Sequence, residues 1–211
     1  MPIKRSRPKT EQKFLHAVLE LVANEGCSAL GINAVAHSAG ADKVLIYRYF
    51  NNLDGLLERV AQSREWLPKA SELVNSLSLS AEQEACDALQ QIAQHLVQYI
   101  RADKATHQLV CWRKATKNPL TDYFTDQWQA FWHELSDSLS IGLDYAAREN
   151  WKRISALTAL VVEAELCGEP VDFKHLQLFA NDISVGQLSE DAGAAHRADA
   201  FYEEQLPTNL L

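Results

Sequence analysis

Apolar residues recur at intervals of three and four along almost the whole chain, and no stretch of four or more residues alternates apolar and polar as a half-buried strand does. This periodicity restricts the fold to packed helices. Phe14, Leu15, Val18, Leu19 and Val22 form one stripe on a segment opened by Thr10 and closed by Gly26. A shorter segment with Ile32, Val35, Ala36 and Ala39 ends at Gly40, a residue able to take the left-handed conformation that stops a helix. Asp42 is placed to cap a third helix, whose Ile46 and Phe50 are four apart and face inward together. Two short helices meeting at an Ala-Gly turn are the signature of a helix-turn-helix unit. Asn51 or Asn52 can cap a fourth helix that runs through Leu56, Leu57 and Val60 toward Trp66 and is broken by Pro68.

Beyond Pro68 the helices lengthen. A capping box of Ser80 and Gln83 precedes Leu89, Ile92, Ala93, Leu96, Val97 and Ile100. Asp103 caps a helix containing Leu109, Val110 and Trp112; Asn118 and Pro119 then introduce an aromatic helix with Phe124, Trp128, Phe131, Trp132 and Leu135, closed by Gly142. The pattern predicts a long helix over 145–167 ending at Gly168, a shorter one over 172–183, a loop over 185–193 and a polar helix over 194–205. No repeat of about 20–50 residues is present, so the chain reads as all-α and not as a solenoid.

With 211 residues, 47% of them hydrophobic, the chain is long enough for one large or two small globular domains. No apolar run approaches the roughly 18 residues that cross a bilayer, and the basic start is followed by an amphipathic pattern rather than a signal peptide. No membrane association and a cytoplasmic location are expected. Cys27, Cys86, Cys111 and Cys167 lie far apart with neither CxxC nor zinc-ligand spacing, and read as small buried apolar groups, with redox sensors the alternative; no metal and no cofactor are expected. There is no GxGxxG, P-loop, HExxH or GxSxG, so the chain does not read as an enzyme.

The charge is unevenly placed. Residues 1–50 hold seven Lys or Arg against four acids, a balance of +3, so the formal total of -8 leaves -11 on the rest. A basic end on an acidic body suits a protein that presents one face to a polyanion, although a solvated basic tail has the same composition. On the third helix, at about 100° per residue, Ile46 and Phe50 define the inner face while Val44, Tyr47 and Arg48 lie on or near the other side. Arg48 suits guanine or phosphate, Lys43 suits phosphate, and Val44 or Leu45 suits thymine methyl groups, with a core position the alternative for Leu45. Lys4, Arg5, Arg7 and Lys9 form either an arm for the adjacent minor groove or a solvated tail.

Gly26, Ile32, Val35, Ala36, the run AGADKVLIYRYF from Ala39 to Phe50, Asp54 and Leu56 together closely resemble the DNA-binding domain of TetR-type transcriptional regulators. The resemblance covers about residues 10–60. By position it assigns Asp42, Lys43, Val44, Leu45 and Tyr47 to the recognition helix, with Tyr47 and Tyr49 as phosphate contacts and Ile46 and Phe50 as core anchors. Two positions depart from the family's usual residues: Leu53 stands where Lys commonly opens the fourth helix, and Ala41 where Val is common. The resemblance implies an N-terminal three-helix helix-turn-helix domain joined to a larger C-terminal helical domain for ligand binding and dimerisation. The expected division is a basic arm over 1–9, the DNA-binding domain over 10–52 and the effector and dimerisation domain over 53–211, with 53–67 as connecting helix.

In that C-terminal part, Phe124, Trp128, Phe131 and Trp132 share one broad helical face. With Trp112 they are either ordinary core or the border of an apolar cavity for a small lipophilic effector. His95, His107, His133, Glu163 and Glu165 are the candidate polar groups near such a site, each read first as a surface or satisfied helix residue; Glu163 and Glu165, two apart, do not share a face. Ala156, Ala159, Leu160 and Val162, with Phe173, Leu176 and Phe179, offer a dimer seam or an intramolecular core. The expected function is a homodimeric repressor that binds a palindromic double-stranded operator and is released by a small lipophilic ligand. The alternative is a DNA-binding or protein-interaction dimer without an effector.

Overall fold

Proline in the first turn of a helix gives up no hydrogen bond and brings a suitable φ with it. Pro8 has that place in the computed structural model, where the first helix, α1, spans Arg7–Glu25 and so begins three residues before Thr10. The structure describes residues 6–76, 85–139 and 145–168, all within one unit that extends from Met1 to Val171. After a 3₁₀ turn at Cys27–Ala29 come α2 (Ile32–Ser38), α3 (Val44–Phe50), α4 (Leu53–Ala61) and α5 (Ala70–Ser76). They are followed by α6 (Ala85–Ala102), α7 (Lys104–Trp112), α8 (Pro119–Leu139) and α9 (Tyr145–Cys167). Among the described residues there is no strand, and the fold is all-α.

The predicted caps are made by short side chains bonding the first free N–H groups. Asn52 Oδ1 accepts from Gly55 N at 2.8 Å and opens α4. Asp103 Oδ1 accepts from Ala105 N at 3.0 Å at the start of α7, and Asn118 Oδ1 accepts from Leu120 N and Thr121 N, both at 3.0 Å, at the start of α8. Gly168, with φ +81°, follows the end of α9 at Cys167. The fourth helix stops at Ala61 instead of continuing to Trp66, because side chains take over its last carbonyls. Ser63 Oγ donates to Val60 O at 2.7 Å and Trp66 Nε1 to Ala61 O at 2.8 Å. The short α5, with Ala70 and Leu73 buried, was not anticipated by the periodicity. The Ser80 to Gln83 capping box, Gly142 and the helices predicted over 172–183 and 194–205 lie outside the described residues.

One set of fully buried side chains, Phe14, Val18, Val22, Val35, Ile46, Leu56 and Val60, joins α1 to α4. A second set, including Ile92, Leu96, Ile100, Leu109, Leu120, Phe124, Leu135 and Val162, fills the bundle of α6 to α9. Each such side chain contributes about 1.5–3 kcal/mol relative to exposure. The two sets are continuous because α1 packs on α7 and α4 on α8. The cysteines are not uniformly buried: Cys27 is, whereas Cys111 is half-buried and Cys167 exposed, since these two lie at the helix ends of α7 and α9 rather than along their core stripes. Among the described residues no helix is long and apolar enough to cross a membrane.

Candidate nucleic-acid interface

A chain leaving α2 must reverse within a few residues if α3 is to cross it. Gly40, at φ +57°, makes this reversal possible. Ala41 N donates to Ala36 O at 3.1 Å and Gly40 N to His37 O at 3.0 Å, the paired bonds that close a helix around a left-handed residue. Asp42 Oδ1 then accepts from Val44 N at 2.9 Å, fixing the start of α3 as the sequence predicts. Lys43 Nζ donates to Asn33 Oδ1 of α2 at 3.4 Å, a tie between the two helices that the sequence did not signal.

The faces of α3 divide as the 100° rule predicts. Ile46 is fully buried, and Phe50 packs edge-on against Phe14 with centroids 6.1 Å apart. On the other side Val44 is 61% and Tyr47 50% exposed, with Lys43, Arg48 and Asp42 exposed beside them. An apolar Val and an aromatic ring held out in water on a seven-residue helix are the groups that a groove or partner would cover. Leu45 and Tyr49 are half-buried. The guanidinium of Arg7 lies 5.1 Å from the Tyr49 ring centroid, so the first turn of α1 reaches this face; Lys4 and Arg5 lie outside the described residues.

Gly55 holds α4 against the end of α3. A Cβ there would stand 2.1 Å from Phe50 O, a contact no side chain tolerates. Leu53, at the first position of α4, is half-buried.

In the bundle, Phe124, Trp128, Phe131 and Trp132 are buried on one face of α8 and touch ring to ring. Their centroids are 6.3 Å apart for Phe124 and Trp128, 5.9 Å for Trp128 and Trp132, and 5.4 Å for Phe131 and Trp132; Trp66 adds an edge contact to Phe124 at 6.2 Å. Trp112 instead packs over Gly26, where an added Cβ would meet its Nε1 at 3.0 Å, and donates to Gln108 Oε1 at 2.9 Å. The fold therefore brings four of the five proposed aromatic residues together. Beside them Arg113, buried, lies 5.0 Å over the Trp128 ring and donates through Nη2 to Glu163 Oε2 at 2.5 Å. This pair, fifty residues apart in sequence, has no local sequence signal. Among the described residues, Trp132 Nε1 and Ser136 Oγ on α8 and Ser155 Oγ on α9 are buried without a hydrogen-bond partner.

Glu163 and Glu165 serve different neighbours, as their spacing predicts: Glu163 pairs with Arg113 and Lys114, and Glu165 with Arg101 of α6. His107 Nε2 donates to Leu166 O at 2.7 Å, His95 is exposed, and His133, also exposed, pairs with Asp137 at 3.2 Å. On α9, Ala156 is exposed, Ala159 half-buried and Leu160 42% exposed, whereas Val162 is fully buried. Phe173, Leu176 and Phe179 lie outside the described residues.

Residues 14–60 match the TetR_N family, bacterial regulatory proteins of the tetR family. No curated protein matches the chain. Among solved structures, a tetR-family transcriptional regulator from Streptomyces coelicolor aligns with a TM-score of 0.53 at 16% identity, covering 88% of this chain and 81% of its own. SCO7518 from Streptomyces coelicolor A3(2), described as a transcriptional regulator, aligns with a TM-score of 0.52 at 16% identity, covering 83% of this chain and 98% of its own. At that identity the likeness speaks for the fold, and the match over 14–60 speaks for the helix-turn-helix. With α2, the Gly40 turn and α3 arranged as such a unit inside an all-α fold of this kind, residues 14–60 are a helix-turn-helix domain of the TetR_N family.

Proposed function

We propose that the chain acts as a homodimeric cytoplasmic repressor without enzymatic activity, whose α3 enters the major groove at each half of a palindromic operator. The observation that carries the reading is the outer face of α3, where Val44, Tyr47 and Arg48 are exposed while Ile46 and Phe50 anchor the helix. Val44 or Leu45 meets thymine methyl groups, Arg48 meets guanine or phosphate, and Lys43, Tyr47 and Tyr49 hold the backbone, with Asp42 fixing the start of the helix. Residues 10–52 form the DNA-binding module and 53–211 the effector and dimerisation part. Two copies joined through Ala156, Ala159 and Leu160 present their α3 helices about 34–36 Å apart. Capture of genomic duplexes by the full chain tests this: enrichment of an inverted repeat supports it, and capture without sequence preference opposes it.

Release by a small lipophilic ligand seated at Phe124, Trp128, Phe131 and Trp132 is supported by the buried Trp132 N–H and the Ser136 and Ser155 hydroxyls, donors that a ligand oxygen would satisfy. A second reading, a DNA-binding dimer without an effector, is favoured by the direct ring-to-ring contacts along α8. Tryptophan quenching across a panel of neutral lipophilic compounds, repeated with operator present, separates the two. An effector binds more weakly when DNA is bound, by the same factor with which it weakens DNA binding.

A further inference from the structure

Cys111 and Cys167 are 56 residues apart in sequence, yet their Sγ atoms lie 3.2 Å from each other, the Cys167 thiol donating to Cys111. Cys111 occupies the last turn of α7 and Cys167 is the last residue of α9. A disulfide needs the sulfurs at about 2.05 Å, so closure takes a shift of about an ångström at two helix ends. His107, one turn before Cys111, holds the same place by donating to Leu166 O, and Cys111 Sγ lies 3.7 Å from that carbonyl. Exposure divides the roles: Cys167 faces water, whereas Cys111 is half-buried. The hydrogen bond from Cys167 brings the Cys111 thiol down to about 7, with His107 acting in the same direction and burial and Glu163 against it. Cys27, by contrast, is buried and pushed up to about 11, which leaves it inert as a thiol at neutral pH.

We propose that Cys111 and Cys167 form a reversible dithiol and disulfide couple, oxidised by a hydroperoxide, that fastens the end of α9 to α7. With hydrogen peroxide, the Cys111 thiolate attacks one oxygen, the O–O bond breaks, and the other oxygen leaves as hydroxide, which takes a proton to become water. Sulfur has then lost two electrons and stands as the sulfenic acid. Cys167 attacks that sulfur, the S–O bond breaks, and a second water leaves as the S–S bond forms. In sum two thiols and one hydrogen peroxide give one disulfide and two waters, and a small thiol returns the pair by exchange. The bond would bear on the DNA-binding half, because Trp112, next to Cys111, packs over Gly26 at the end of α1. The couple itself does not depend on the repressor reading.

The test treats the full-length reduced protein with hydrogen peroxide, blocks remaining thiols in denaturant and maps the peptides. The expected result is loss of two hydrogens per chain, one peptide pair joined through Cys111 and Cys167, and a Tm raised by about 5–10 °C that dithiothreitol reverses. Cys167→Ser, a change at an exposed position, should stop at a sulfenic acid on Cys111 that dimedone traps, whereas Cys27→Ser should still close the bond. Four unoxidised thiols after treatment, a bond through Cys27 or Cys86, or a Cys167 bond between two copies would overturn the proposal.

Discussion

At the scale of single residues, two cysteines of one chain are driven in opposite directions by their surroundings. Burial raises Cys27 from its ordinary 9.0 to about 11. Its contribution to stability is therefore complete below about pH 9 and is lost as the pH climbs toward 11. Cys111 is lowered to about 7, so its contribution is present above about pH 9 and fades as the pH falls toward 7. Under reducing conditions, Cys27→Ala should lose less stability than wild type between pH 9 and 11, read as the urea midpoint at both ends of that interval. Iodoacetamide should label Cys111 well before Cys27 at pH 7.5, and Cys167→Ala, which removes the hydrogen-bond donor, should slow that labelling. Leu53 offers a different test, since a lysine at the first turn of α4 would add a phosphate contact that reads no base. Leu53→Lys should tighten binding to all duplexes and steepen the salt dependence by about 0.9 per added contact. An unchanged slope would place Leu53 away from the backbone.

At the scale of elements, Gly55 shows how one missing side chain positions a helix. A methyl group 2.1 Å from Phe50 O must push α4 away from α3, so the helix propensity gained by Gly55→Ala is outweighed. The variant should lose about 2–3 kcal/mol in denaturant unfolding and bind DNA poorly, because α3 moves with its neighbour. The helix-turn-helix was legible in the sequence because its determinants are local: Gly40, the Asp42 cap and the Ile46 to Phe50 spacing lie within eleven residues. The long α9 was legible for the same reason, with its apolar period running to Gly168. What was hidden depends on distance or brevity. Seven-residue α5 buries only Ala70 and Leu73, too few for a period, and the end of α4 is set by Ser63 and Trp66 folding back on its carbonyls. The Arg113 to Glu163 pair and the Cys111 to Cys167 contact form only when α7 meets α9.

At the scale of the molecule, a single module with few basic residues makes too few phosphate contacts for specific binding, which is why the proposed regulator works as a pair. On α9, Glu163 and Cys167 face α7, while Ala156 and Leu160, on the same side of the helix two turns earlier, remain exposed and offer the second copy a place. Sedimentation should give twice 23.7 kDa at micromolar concentration, and Ala159→Glu should return the monomer mass with helix content unchanged. A wild-type species of 23.7 kDa alone would contradict the pairing. The central claim, that the outer face of α3 reads the operator, is tested most directly by the affinity of Arg48→Ala and Tyr47→Ala for a captured operator, beside wild type and with circular dichroism as a check of folding. Both side chains point away from the anchors Ile46 and Phe50. Each variant should keep wild-type helix content and lose about 1–3 kcal/mol of binding, roughly 5- to 150-fold, whereas wild-type affinity in both would contradict the account.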